Sequence, residues 1–209
     1  MNFTTRHRPR VANGSVLLRL LLVAVVLAAM ASLGVGYHFA RKYYVERSEL
    51  RLNPIYLGRF RSDNQNLGIP AGRRIVFLGD SRIEYWSPKP ELPAAEIVWR
   101  GIAGETTSQL AFRVKQDALD LDPSVVVIQA GINDVVAAAA IGREREAVET
   151  VIDNLRRIAT DCALSGADVR LLTVVRPSDP PLLRRLVWSD RVLGTVEQIN
   201  AGLRKLDVP

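Results

Sequence analysis

The sequence predicts an α/β protein whose mostly parallel, doubly wound sheet follows a single transmembrane helix. Two patterns predict the sheet. Strand-like runs of three to seven residues alternate with helical stretches after Gly72, and three of those runs end in loops of small residues. A third observation predicts the helix: Leu20–Tyr37 is 18 residues without a charge, enough to cross most of a bilayer.

The 209 residues are 48% hydrophobic, which suits one globular domain with an added segment. A single cysteine excludes an internal disulfide framework, and Cys162 reads as a small packing residue of a helix. The net charge of +6 is not spread over the chain. Residues 1–47 hold seven Arg and Lys against Glu46 alone, and the remainder has 21 of each sign. The high isoelectric point therefore belongs to the N-terminal segment, and no nucleic-acid partner is expected for the domain.

Residues 1–15 read as a basic cytoplasmic tail and residues 16–40 as the transmembrane segment. Arg19 sits at one edge, where it can snorkel, and Tyr37, Tyr43 and Tyr44 lie near the other, where interfacial aromatics gather. Ala29-Met30-Ala31 offers a small-x-small cleavage site, but the apolar run outlasts a cleavable core. An uncleaved signal anchor is the favoured reading, with the domain on the periplasmic or extracytoplasmic side. Residues 41–72 read as a stalk or linker, punctuated by Asn53-Pro54, the polar run Ser62–Asn66, Gly68, Pro70 and Gly72.

The domain is expected over 73–209. Arg74–Leu78 is the first strand, and Ser81–Trp86 opens a short helix or turn. Ile97–Trp99 is the second strand. Glu105–Leu121 is a helix, stopped by Asp122-Pro123. Val125–Gln129 is a continuous apolar run, the mark of a strand buried on both faces. Arg143–Ser165 is a long amphipathic helix with apolar residues at three- and four-residue steps, closed by Gly166. Val169–Val175 is a fourth strand and Trp188–Leu206 a last helix. The alanines at 137–140 stand out only as low complexity. Trp86, Trp99 and Trp188 read as packing residues, and Arg184-Arg185 as a solvated face.

In a parallel sheet the loops Gly79-Asp80-Ser81, Gly101-Ile102-Ala103-Gly104 and Gly131-Ile132-Asn133-Asp134 leave at one edge, where open α/β sheets bind ligands. Ser81 supplies a hydroxyl, Gly104 a backbone N–H and Asn133 an amide donor. A nucleophile with an oxyanion hole is the minimum for acyl transfer. Singly, each loop has an ordinary reading: Asp80 and Ser81 make a good helix cap, Gly-x-x-Gly is common in turns, and Asn-Asp after Gly is common loop chemistry. No His/Cys cluster, Gly-x-Gly-x-x-Gly or Walker loop appears, so neither metal nor cofactor is expected.

Taken in order, the three loops resemble the motif blocks of the SGNH/GDSL hydrolase superfamily, particularly its small esterases, lysophospholipases and thioesterases. Ile75–Ser81 matches the first block, Gly101–Thr107 the second and Gly131–Asp134 the third. The resemblance implies a flavodoxin-like three-layer α/β/α sandwich. It also implies a catalytic Ser81, an oxyanion hole of Ser81, Gly104 and Asn133, a supporting Asp80, and a small-molecule ester as substrate. The family's closing Asp-x-x-His block has no counterpart. The two histidines are His7 and His38, outside the domain, and Asp207 has no histidine three residues on. A serine is a poor nucleophile without a base. The expectation is therefore a membrane-anchored serine esterase for small acyl or acetyl esters in C-terminally truncated form. The alternatives are a pseudoenzyme that binds acyl chains or acylated glycans, and a base borrowed from another chain.

Overall fold

A computed structural model describes residues 13–52, 54–178 and 189–207. Trp188, Arg184, Arg185 and the first twelve residues lie outside them. The chain divides into two units, Met1–Leu52 and Asn53–Pro209.

The first unit contains helix α1, Asn13–Leu52. Its side chains from Val16 to Val45 are exposed, including Leu17, Leu21, Leu27 and Val35. It is long and apolar enough to cross a membrane, a property shared by anchors and signal sequences. The helix does not stop at Ala40 but runs twelve residues further. Nothing between Arg41 and Arg51 breaks it: that stretch has no Pro or Gly, and Asn53-Pro54 follows its end.

The second unit is the α/β domain. Strands β1 (Arg73–Gly79), β2 (Ala95–Gly101), β3 (Val125–Gln129) and β4 (Asp168–Leu171) form a parallel sheet in the order β2-β1-β3-β4. The predicted fold class is the one observed. Successive residues point to opposite faces of a strand. Val76, Leu78, Val98, Val126 and Ile128 share one face and are buried with the inner sides of three helices. Those helices are α4 (Thr107–Asp117), α6 (Glu144–Leu164) and α7 (Arg191–Leu203). Helix α6 contributes Val151, Leu155, Ile158 and Ala159 to this core at the predicted spacing, together with the buried thiol Cys162.

Four departures from expectation have local reasons. The segment expected as part of a stalk belongs to the domain. Its polar run forms the short helix α2 (Arg61–Asn66), and Asn64 donates to Gln116 O at 2.9 Å and Asp117 Oδ1 at 2.8 Å. Arg74, almost fully buried, holds the next residues through Leu67 O at 3.3 Å and Gly68 O at 3.0 Å. Helix α5 (Ile132–Ile141) occupies a stretch for which no helix was expected. It lacks a side-chain N-cap, but its alanines are strong helix formers and Gly142, at φ +72°, closes it. Helix α4 begins at Thr107 rather than Glu105, because Thr106 and Gln109 form a capping box there. Strand β4 stops at Leu171. Beyond it, the Asn200 carboxamide of α7 accepts from Val174 N at 2.8 Å and donates to Val174 O at 2.9 Å, in place of a ladder.

Candidate active site

Gly79, Gly101 and Gln129 are in register at the carboxyl ends of β1, β2 and β3. The three small-residue loops therefore leave the sheet side by side.

The first loop turns directly into the four-residue helix α3 (Ser81–Glu84). Asp80 is its N-cap: the carboxylate accepts from Arg82 N at 2.9 Å, and Asp80 N donates to Gln129 O at 3.2 Å. Asp80 is 1% exposed. Burial pushes its pKa up from 3.8 to about 6, against the pull of the Arg82 N–H and the Arg82 charge. Helix α3 lies flat on the end of β2, which is possible because residue 101 is glycine: a Cβ there would sit 2.2 Å from Glu84 N.

The second loop is a tight turn. Ile102 N donates to Gly79 O at 2.9 Å, and Glu105 N to Ile102 O at 3.3 Å. Gly104, third of the four turn residues, has φ +81°, the conformation a type II turn demands there. Neighbouring N–H groups are all engaged. Ala103 N donates to Glu84 Oε2 at 2.5 Å, Thr106 N to Gln109 Oε1 at 2.9 Å, and Thr107 N to Asp134 Oδ2 at 2.9 Å. Among the described residues, the Gly104 N–H has no acceptor, and neither has the Ser81 N–H at the start of α3.

The third loop brings Asn133 to the second. In the first turn of α5, Asn133 Nδ2 donates to Glu105 O at 2.8 Å, which leaves its other amide hydrogen unassigned. Asp134, its pKa raised by burial, holds the start of α4 through both the N–H and the hydroxyl of Thr107.

Beneath the loops lies a buried ionic cluster. Arg113, fully buried, donates Nε to Glu105 Oε1 at 2.6 Å and Nη2 to Glu105 Oε2 at 2.5 Å, a bidentate pair. It reaches Asp117 at 3.2 Å, and its Nη2 also approaches Gly79 O at 3.2 Å and Arg100 O at 2.9 Å. One guanidinium thus ties the ends of β1 and β2 to the residue after Gly104. Burial raises the Glu105 pKa, and Arg113 opposes that rise. Arg100, its pKa lowered by burial, donates twice to Asn64 Oδ1, at 2.9 and 2.6 Å. The Phe60 ring lies against both cations, 4.8 Å from the Arg100 guanidinium carbon and 5.8 Å from that of Arg113.

Ser81, Gly104 and Asn133 therefore sit on adjacent loops, with Asn133 bonded to the Gly104 turn. No motif in the sequence marks Glu84, Arg113 and Asp117 as the residues that hold these loops. The signal for Arg113 was its position on the Leu110–Val114 stripe of α4, with an acid four residues later.

The parallel sheet of order β2-β1-β3-β4, with the three loops at its carboxyl edge, defines an α/β domain of flavodoxin-like strand order. A family model described as the GDSL-like lipase/acylhydrolase family matches residues 77–207, and the chain belongs to that family. Among solved structures, a GDSL-like lipase from Bacteroides thetaiotaomicron is 24% identical. The match covers 72% of each chain with a TM-score of 0.57. A catalytic mutant of an acetylxylan esterase from Geobacillus stearothermophilus is 20% identical, over 66% of this chain and 72% of that one, with a TM-score of 0.51. These two establish likeness of fold. No curated protein matches the sequence.

Proposed function

We propose that this chain is a membrane-anchored serine ester hydrolase for small acyl or acetyl esters. Ser81 Oγ attacks the ester carbonyl carbon, and the C=O π electrons move onto oxygen. The oxyanion is met by the N–H groups of Ser81 and Gly104 and by the free Nδ2 hydrogen of Asn133. The Ser81 proton passes to a base from solvent and then to the expelled alkoxide, which leaves as the alcohol; water attacks the acyl carbonyl next, releasing the carboxylic acid and restoring the Ser81 hydroxyl. The observation that carries this reading is the pair of N–H groups without acceptors among the described residues: Ser81 at the head of α3, and Gly104 in a turn whose other N–H groups are engaged. Acetyl esters are the first class to assay, because one fold neighbour is an acetylxylan esterase.

The Ser81 proton needs an acceptor, and residues 53–209 contain no histidine. That fact favours a second reading, in which the domain binds acyl groups or acylated glycans without turnover. Imidazole added in solution can stand in for a missing side-chain base. The test is p-nitrophenyl acetate hydrolysis by the full chain with and without imidazole, beside Ser81→Ala to subtract the reaction of imidazole itself. A Ser81-dependent rate, together with fluorophosphonate labelling at Ser81, supports the hydrolase. Equal rates for the two proteins and no labelling sink it in favour of the binding module. In an active protein, Asn133→Ala is expected to lower the rate by about 10²–10³-fold.

A further inference from the structure

We infer that Glu84 is a positioning residue for the second loop, holding the turn that aims the Gly104 N–H, and that Arg59 fixes the Glu84 carboxylate. This rests on the reading of the Gly104 N–H as an oxyanion donor.

The direction of that N–H is set by the peptide unit joining Ala103 to Gly104, the central unit of the turn. In a four-residue turn this unit is the one free to flip: types I and II differ by its rotation, with the flanking hydrogen bond kept. A flip would turn the Gly104 N–H to the opposite side without breaking the bond from Glu105 N to Ile102 O. Glu84 Oε2 accepts from Ala103 N at 2.5 Å, a charge-assisted bond that fixes the preceding peptide unit and with it the Ala103 Cα, the pivot from which the Ala103–Gly104 unit is placed.

The carboxylate is held in turn. Its other oxygen, Oε1, accepts from Arg59 Nη2 at 3.1 Å, and the Glu84 side chain is 22% exposed against 51% for Arg59. Its backbone is fixed at the C-terminal end of α3, where Glu84 N donates to Asp80 O at 3.0 Å. Helix α3 carries Ser81 at its first position and Glu84 at its last. One turn of helix thus carries Ser81 at its start and grips the second loop from its end. The two halves of the chemistry are set at a fixed spacing by a single rigid piece. Arg59 precedes α2, so the segment following the N-terminal helix takes part in the grip.

The experiment uses the full chain and three variants: Glu84→Ala, Glu84→Gln and Arg59→Ala. Two readouts are taken: the second-order rate of fluorophosphonate labelling at Ser81, and amide hydrogen exchange across residues 102–106, with a thermal melt as a check on folding. Glu84→Ala is expected to speed exchange at Ala103 and to slow labelling by about 10²-fold, the order of loss expected for a small misplacement of a reacting group. Glu84→Gln, which keeps an acceptor oxygen, retains most of the labelling rate. Arg59→Ala falls between them. Unchanged Ala103 exchange in Glu84→Ala overturns the proposal, and so does unchanged labelling, or Gln as damaging as Ala. If the wild type itself is not labelled, the hydrolase reading fails, and the exchange pattern alone still decides whether Glu84 holds the turn.

Discussion

Asp80 and Glu105 are equally buried carboxylates on neighbouring loops, each 1% exposed, and burial raises the pKa of both. They differ in what faces them. Glu105 meets a fully buried guanidinium in a bidentate pair, and the same Arg113 also serves Asp117 and two backbone carbonyls. Asp80 is held mainly by a backbone N–H at the head of a four-residue helix. The loop after Gly104 is thus built on a compensated charge cluster. The loop before Ser81 carries a carboxyl group whose charge is costly and whose pKa of about 6 lies within the range of ordinary buffers. Neighbouring loops can share one geometry and yet respond differently to pH.

The largest test of this contrast removes the cation. Arg113→Met should lower unfolding stability by about 3–5 kcal/mol, because it leaves Glu105 buried without its cation and Asp117 with the Asn64 amide alone. Urea unfolding measures it, and a loss under about 1 kcal/mol would mean that the cluster is not compensated as described. Next is Asp80→Asn, followed by urea unfolding from pH 4 to 7. The native pKa lies above the ordinary 3.8, so between those values the folded state holds a proton that the unfolded state has lost. The Asp80 contribution to stability therefore falls as pH rises from about 4 to about 6 and is flat above that. The variant should gain on the wild type through that window by up to about 3 kcal/mol. A gap that stays constant with pH would contradict the assignment.

Asn64→Ala removes two acceptor contacts from Arg100 and should cost about 1–3 kcal/mol. Limited proteolysis should then cut residues 54–70 sooner than the sheet; an unchanged pattern would separate α2 from the cluster. The smallest effect is that of Gly104→Ala. No atom stands within 4 Å of the added Cβ, so the cost is only that of positive φ, about 1–2 kcal/mol. The turn is expected to flip and labelling of Ser81 to fall. Full labelling in a well-folded Gly104→Ala would remove Gly104 from the site.

The strands and the three loops were legible because apolar runs ending in glycine are local signals. Ser81, Gly104 and Asn133 could be placed on one edge from chain order alone. The partners were not legible, because they are defined by distance in space. Arg113 meets Gly79, 34 residues earlier, and Asn64 meets Arg100, 36 residues later. In sequence each looks like a solvated polar residue. Helix α5 escaped because its start has no side-chain cap, and the end of β4 is set by Asn200, a residue of another element.

The buried thiol of α6 has a practical consequence. Cys162 is the chain's one cysteine, it has no exposed surface, and desolvation pushes its pKa up to about 12. Thiolate is the form that reacts with maleimides and disulfides, and at neutral pH this side chain has almost none of it. The native protein is therefore a silent background for thiol chemistry. A cysteine introduced at exposed Ser108, in the first turn of α4, would carry a fluorophore or spin label alone, with no need to remove the natural one first.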